Sequence, residues 1–277
     1  MVADLPLELI HATVQLEQPM ADGTRTVGTG FLIQAPTPDG RPRVVLITAG
    51  HVFERMPSEK ARIGYRVANA DGSWSYTPQT LSIRKPDGEQ LWKKHPSRDI
   101  AAIAITAPEA FAKAAIPLAW LAKDDTFASY KVTAGDEMMA LGFPRGLAAN
   151  QAGFPILRSG KIASYPVAPA TIYPTFLLDF SVFPGNSGGP VFMSNPGRAG
   201  PAGDGQFIAG LLTQQVELNK ERLEIGIVTH AKYIRETIAL LDVDAPAPDT
   251  MITRDEGVSK GTQVSSAAAA DRAASTD

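Results

Sequence analysis

Short apolar or alternating runs, each cut off by Gly, Pro, Asn or Asp, recur about a dozen times along the chain. Runs of this length with such punctuation read as antiparallel strands, because successive side chains alternate faces and turn residues end each pass. "HATVQLEQ" alternates, "VGTGFLIQA" resumes after a turn at Asp22-Gly23, and "RVVLITAGHVF" holds a buried strand. "ARIGYRVA", "TLSIRK", "IAAIAI", "EMMALGF", "FPILRSGKIASY", "FLLDFSV", "GPVFMS", "FIAGLLTQQV" and "LEIGIVTH" extend the series. So many strands must satisfy their edges, so a closed all-β sandwich or barrel architecture is expected. Helix is scarce: "PEAFAKAA" reads as one short helix and "AKYIRETIALL" as an amphipathic helix closing the ordered region. Between Arg145 and Ala170 small residues and proline predict a long surface loop.

Among 277 residues, 44% are hydrophobic and 20% charged, enough apolar material for one large β domain or two smaller ones. A net charge of -3 without a run of Lys or Arg leaves no electrostatic footprint for nucleic acid. No segment approaches the roughly 18 apolar residues of a membrane helix, so no membrane partner is expected. With no cysteine there is no disulfide framework and no thiolate metal site. No His or carboxylate cluster has ligand spacing, so neither a metal nor a cofactor is expected. "GPAGDGQ" lacks the lysine and the helix of a phosphate loop. The N-terminus has no basic segment leading into an apolar core. As it stands it reads as cytoplasmic, and as periplasmic or secreted if a leader has been removed. After residue 242 few large apolar residues remain, and 243–277 is expected to be a disordered polar tail.

The loop "FPGNSGGPVF" places one serine, Ser187, inside a run of glycines. Serine is a weak nucleophile until a base takes its proton, and the base needs a third group to hold its tautomer. Of four histidines, His51 in "VVLITAGHVF" follows a buried strand, where a rigid support would present it. Asp99 in "SRDIAAIAI" precedes an apolar strand that would bury its carboxylate against the imidazole. Asp71 and Asp87 are rival acids, but "NADGSW" and "KPDGEQ" are turn signatures. His95, before Pro96, is expected in solvent, and His11 on the first strand is expected to serve packing.

"TAGHV", "RDIAAIAI" and "GNSGGPV", in that order, resemble the three catalytic segments of the chymotrypsin/trypsin-like serine peptidases. "GTGFLI" and "ALGFPRG" make the chain most similar to the bacterial stand-alone and HtrA-like (Do-like) branch. The resemblance runs from roughly Glu8 to Leu241. It implies two six-stranded antiparallel β-barrels with a short C-terminal helix, in one domain over 1–242 divided near 110–130. It also implies a serine endopeptidase with His51 as base, Asp99 as its orienting acid and Ser187 as nucleophile. In that family two backbone N–H groups meet the developing oxyanion, here those of Gly185 and Ser187. Glycine at 185 removes an obstructing side chain and reaches backbone angles closed to other residues.

Zymogen-type trypsins carry Asp before the serine, paired with a newly cleaved N-terminus; Asn186 stands there in this chain, so no proteolytic activation is expected. The family builds its specificity pocket from the segment before the nucleophile and a later strand. That resemblance suggests Ser181 with Ile227, Val228 and Thr229 as walls, no carboxylate at the pocket base and so a small or medium apolar preference rather than Arg or Lys, and His230 as a group that could favour acidic substrates. The HtrA-like group tends to carry an acid where Asp179 stands, implying loop support rather than chemistry. The 35 or so residues after the last helix are too few and too polar for an added peptide-sensing domain. A monomer or small homo-oligomer acting on protein or peptide substrates is therefore expected. Two alternatives stay open: a catalytically silent, chaperone-like peptide binder on the same fold, and an esterase using the same triad.

Overall fold

The computed structural model describes residues 4–200, 203–218, 221–243 and 250–254. The N-terminal half begins with helix α1 (Leu5–Ala12), whose first turn is capped by the Asp4 carboxylate and whose Leu5 and Leu9 are buried. His11 therefore lies on a helix and not on the first strand, stacked 5.0 Å from Trp74. Strands β1 (Thr13–Pro19), β2 (Arg25–Gln34) and β3 (Val44–Thr48) follow, then helix α2 (Gly50–Glu54). The β1–β2 turn falls at the expected Asp22-Gly23: Asp22 Oδ1 accepts the Thr24 N–H at 2.9 Å, and Gly23 takes φ +81°. Then come β4 (Lys60–Ile63), a small hairpin of β5 (Arg66–Ala68) and β6 (Trp74–Tyr76), β7 (Gln79–Ser82), β8 (Lys93–Lys94) and β9 (Ala101–Thr106).

Helix α3 (Glu109–Ala112), β10 (Ile116–Pro117) and helix α4 (Thr126–Ser129) bridge to the C-terminal half. There β11 (Glu137–Gly142), β12 (Ile156–Ile162), β13 (Thr175–Asp179), β14 (Pro190–Gly200), β15 (Gly203–Leu218) and β16 (Glu221–His230) close a barrel in the order β11-β12-β13-β16-β15-β14. Helix α5 (Ala231–Ala239) follows, burying Tyr233, Ile234 and Ile238. Its Arg235 donates to the carbonyls of Leu118, Leu121 and Ala122, so the helix clamps the segment between the two halves.

One of the two expected six-stranded barrels closes as such; the other does not. In the N-terminal half β1, β2, β3, β4, β7 and β9 belong to a curled nine-stranded sheet. β7 and β9 pair with a further strand, β17 (Thr250–Arg254), antiparallel to the first and parallel to the second. Residues 250–254 of the segment expected to be a disordered tail supply backbone hydrogen bonds to two strand edges; 244–249 and 255–277 lie outside the described residues. Apolar residues of both halves, from Phe31, Leu46 and Ile103 to Phe192 and Leu211, form one continuous core. The site lies where β2 and β3 of one half meet the turns of the other.

Candidate active site

β3 is buried from Val45 to Thr48, and after Ala49 the chain turns into α2 with His51 in its first turn. The first N–H groups of a helix have no partner inside it. Asp99 fills that need: its Oδ1 accepts the His51 backbone N–H at 2.8 Å while Oδ2 meets His51 Nδ1 at 2.6 Å. One carboxylate therefore fixes both the main chain and the ring of His51, leaving Nε2 as the free ring nitrogen. Burial raises the Asp99 carboxyl, but hydrogen bonds from the His51 ring and backbone, with the Lys94 charge, outweigh it and hold the group below its ordinary range. The side chains are 20% and 25% exposed, so the pair is sheltered yet reachable. Asp71 and Asp87, the rival acids, accept bonds from residues two further on in exposed turns.

Ser187 stands on the loop between β13 and β14. The loop is pressed against the segment before His51: a Cβ at Gly188 (φ +91°) would lie 2.0 Å from Thr29 O and 2.4 Å from Thr48 Oγ1. Gly185 (φ +97°) is equally constrained, with its Cβ position 2.3 Å from Phe143 O. The glycine requirement at 185 thus comes from the protein's own backbone. The Ser187 hydroxyl donates to Thr213 O at 3.0 Å, not to His51. Pro184 O accepts the Arg145 N–H at 2.6 Å, Gly185 O the Thr29 hydroxyl at 2.6 Å, and Ser187 O the Thr29 N–H at 2.9 Å. Among the described residues the N–H groups of Gly185 and Ser187 have no acceptor, so both remain available to a ligand oxygen.

The expected specificity residues divide. Ser181 is half-buried, and its hydroxyl donates to Glu224 Oε2, so a carboxylate stands at the position six before the nucleophile. On β16, which pairs regularly with β13, Gly226, Val228 and His230 share one face while Ile227 and Thr229 share the other. A Cβ at Gly226 would come within about 3 Å of Val182 and Phe180, beside Ser181. Ile227 is half-buried and its carbonyl accepts the Thr213 hydroxyl at 3.2 Å; Val228 and Thr229 are buried. His230 corrects the expectation of an acid-binding group. It is 4% exposed between the rings of Phe127 and Phe176, and burial pushes its imidazole down to about 4. A neutral, enclosed ring offers no positive charge to an acidic substrate.

Asp179 is exposed at the end of β13. His95 is buried, contrary to expectation, and contacts Glu236. No cluster of three or more His, Asp or Glu suited to a metal occurs among the described residues. Thr29, Thr213 and Glu224 were not singled out from sequence. Only Thr29 left a signal, because glycines flanking it within a strand mark close backbone approach.

Residues 28–199, well over half of the chain, match the family model of the trypsin-like peptidase domain. No curated protein matches. Among solved structures, the HtrA-type protease AlgW with a tripeptide, and a variant of it with a tripeptide, each superimpose with a TM-score of 0.51 at 18% identity. Each match covers 86% of this chain and 62% of the other, so the chain spans under two thirds of those proteins and the likeness is one of fold.

Proposed function

The chain belongs to the trypsin-like peptidase domain family, and from that premise we propose that it is a serine endopeptidase working through His51, Asp99 and Ser187. The observation that carries this reading is the double contact of Asp99 with the backbone and ring of His51, next to the chain segment against which the Ser187 loop packs. Asp99 accepts a hydrogen bond from His51 Nδ1–H, which keeps that proton on Nδ1 and leaves Nε2 as the base. Rotation about χ1 releases the Ser187 hydroxyl from Thr213 O. As Oγ attacks the scissile carbonyl carbon its proton passes to Nε2, and the oxygen that gains the charge is met by the N–H groups of Gly185 and Ser187. Collapse breaks the C–N bond, and the imidazolium protonates the departing amine. Water, deprotonated by His51, then attacks the acyl-enzyme and frees Ser187.

No proteolytic activation is part of this scheme. Asn186 carries no charge to be neutralised, and the carbonyls of Pro184 and Gly185 already have donors. A peptide substrate also fits the tripeptide found with the HtrA-type neighbours. A second reading, a peptide binder without turnover, is favoured by one contact, the Ser187 hydroxyl on Thr213 O. Labelling with a serine-directed fluorophosphonate separates them. The wild type should label, and Ser187→Ala and His51→Ala should not; a folded wild type that stays unlabelled leaves the binding reading.

A further inference from the structure

Thr29 lies in β2 with no exposed surface, and its hydroxyl and its N–H both reach the loop that carries Ser187. Its hydroxyl donates to Gly185 O at 2.6 Å and accepts the Phe143 N–H at 3.1 Å. Its own N–H donates to Ser187 O at 2.9 Å, and its carbonyl accepts the Thr48 hydroxyl at 2.7 Å, two residues before α2. One residue therefore touches the nucleophile loop twice, the 143–146 turn once and the strand leading to His51 once.

The direction of these bonds matters because a peptide group is planar and trans, so fixing a C=O fixes the N–H on the opposite side of the same plane. The Gly185 N–H belongs to the peptide whose oxygen, Pro184 O, is held by the Arg145 N–H. The Ser187 N–H belongs to the peptide whose oxygen, Asn186 O, accepts from the Gly189 N–H at 3.1 Å. Between them stands the Gly185–Asn186 peptide, and its oxygen is held by the Thr29 hydroxyl. The tilt of this middle peptide sets the angle between the two N–H groups. The same hydroxyl anchors the Phe143 end of the turn whose Arg145 N–H holds Pro184.

Resting on the endopeptidase reading above, we infer that Thr29 is a positioning residue: its hydroxyl holds the oxyanion loop in the orientation that aims the Gly185 and Ser187 N–H groups at one point. Deleting it leaves a buried carbonyl and a buried N–H unpaired at once, and the middle peptide then keeps the Asn186 N–H bond to Phe183 O at 3.0 Å without the hold on its oxygen.

Three variants test this: Thr29→Val, close to isosteric but without the hydroxyl, Thr29→Ala, and Thr29→Ser. The readouts are the saturation kinetics of fluorophosphonate labelling and amide hydrogen exchange over 183–190, with circular dichroism as the fold control. Loss of one oxyanion donor slows related chemistry by roughly 10²–10³. A misdirected pair of donors should therefore slow labelling of the Val and Ala variants by about 10- to 100-fold, in the maximal rate and not in the half-saturating probe concentration. Exchange should rise over 183–190 alone, and Thr29→Ser should return both readouts to within about threefold of wild type. If the Val variant does not fold, Ala against Ser reads the same hydroxyl. Wild-type labelling and exchange in Val and Ala would overturn the inference, as would a Ser variant as impaired as Val. An unlabelled wild type would remove the endopeptidase reading instead, and exchange over 183–190 would alone decide the role of Thr29.

Discussion

His95 Nε2 lies 3.0 Å from Glu236 Oε2, joining the loop ahead of Asp99 to the C-terminal helix. His95 Nδ1 accepts the Ser97 N–H at 3.2 Å, so the proton sits on Nε2 and the ring donates to the carboxylate. Tyr233 supports the ring edge-on at 5.4 Å and takes the Arg98 guanidinium 5.0 Å from its own ring centre. The loop that presents Asp99 is thus braced by α5, far from it in sequence.

This brace makes two variants unequal. His95→Ala removes a donor, an acceptor and a buried ring, and should cost about 1–3 kcal/mol in urea unfolding while slowing fluorophosphonate labelling less than about tenfold. Glu236→Gln keeps an acceptor for Nε2–H and loses only charge on a side chain 42% exposed, so its stability should stay within about 0.5 kcal/mol. Equal losses in the two would mean that the Glu236 charge, and not the buried ring, does the bracing.

What the sequence disclosed and what it hid follow from how far each signal reaches along the chain. "TAGHV" and "GNSGGP" are legible because a strand end or a glycine turn must be specified by adjacent residues. The β1–β2 turn at Asp22-Gly23 is legible for the same reason. The Thr29–Gly185 and His95–Glu236 contacts join residues 156 and 141 apart, and nothing local to either member names the other. Histidine before proline reads as surface, yet here tertiary packing took His95 inside. The N-terminal sheet differed from a six-stranded barrel because a strand from the polar tail pairs with β7 and β9, a choice made by backbone edges that composition does not record.

Asp99→Asn should preserve the fold and lose turnover. Asparagine can still accept one hydrogen bond, but its amide favours the wrong imidazole tautomer and gives no charge to the imidazolium. In related triads this change costs on the order of 10⁴ in rate. Fluorophosphonate labelling should fall correspondingly, with an unchanged circular dichroism spectrum. Labelling at the wild-type rate would remove Asp99 from the triad.

Glu224, in left-handed backbone at φ 56°, sets its carboxylate on the Ser181 hydroxyl. If the side-chain pocket of the proposed endopeptidase is built at Ser181, a carboxylate there would favour a cationic side chain over an apolar one. Glu224→Gln should then lower cleavage after Arg or Lys relative to Val or Ala, by about two- to fivefold for a solvent-exposed pair. Paired fluorogenic peptides differing only at that residue give the ratio. A ratio unmoved by the substitution would put the carboxylate outside the pocket.

His230 should make stability depend on pH in a window above the carboxylate range. Burial between Phe127 and Phe176 lowers its imidazole from 6.5 to about 4, against a hydrogen bond to the Val167 backbone that raises it. The unfolded chain binds a proton near 6.5 and the folded chain does so only near 4, so between these values the unfolded state holds more protons. The contribution is complete above 6.5 and is lost progressively as pH falls toward 4. From pH 7 to pH 5 this amounts to about 2 kcal/mol. His11, also lowered by burial, acts in the same direction, so the difference between wild type and His230→Phe isolates the one ring. Urea unfolding at the two pH values should show a smaller decrease in the variant by about 2 kcal/mol. An equal decrease in both proteins would mean that the folded state protonates His230 as readily as the unfolded one.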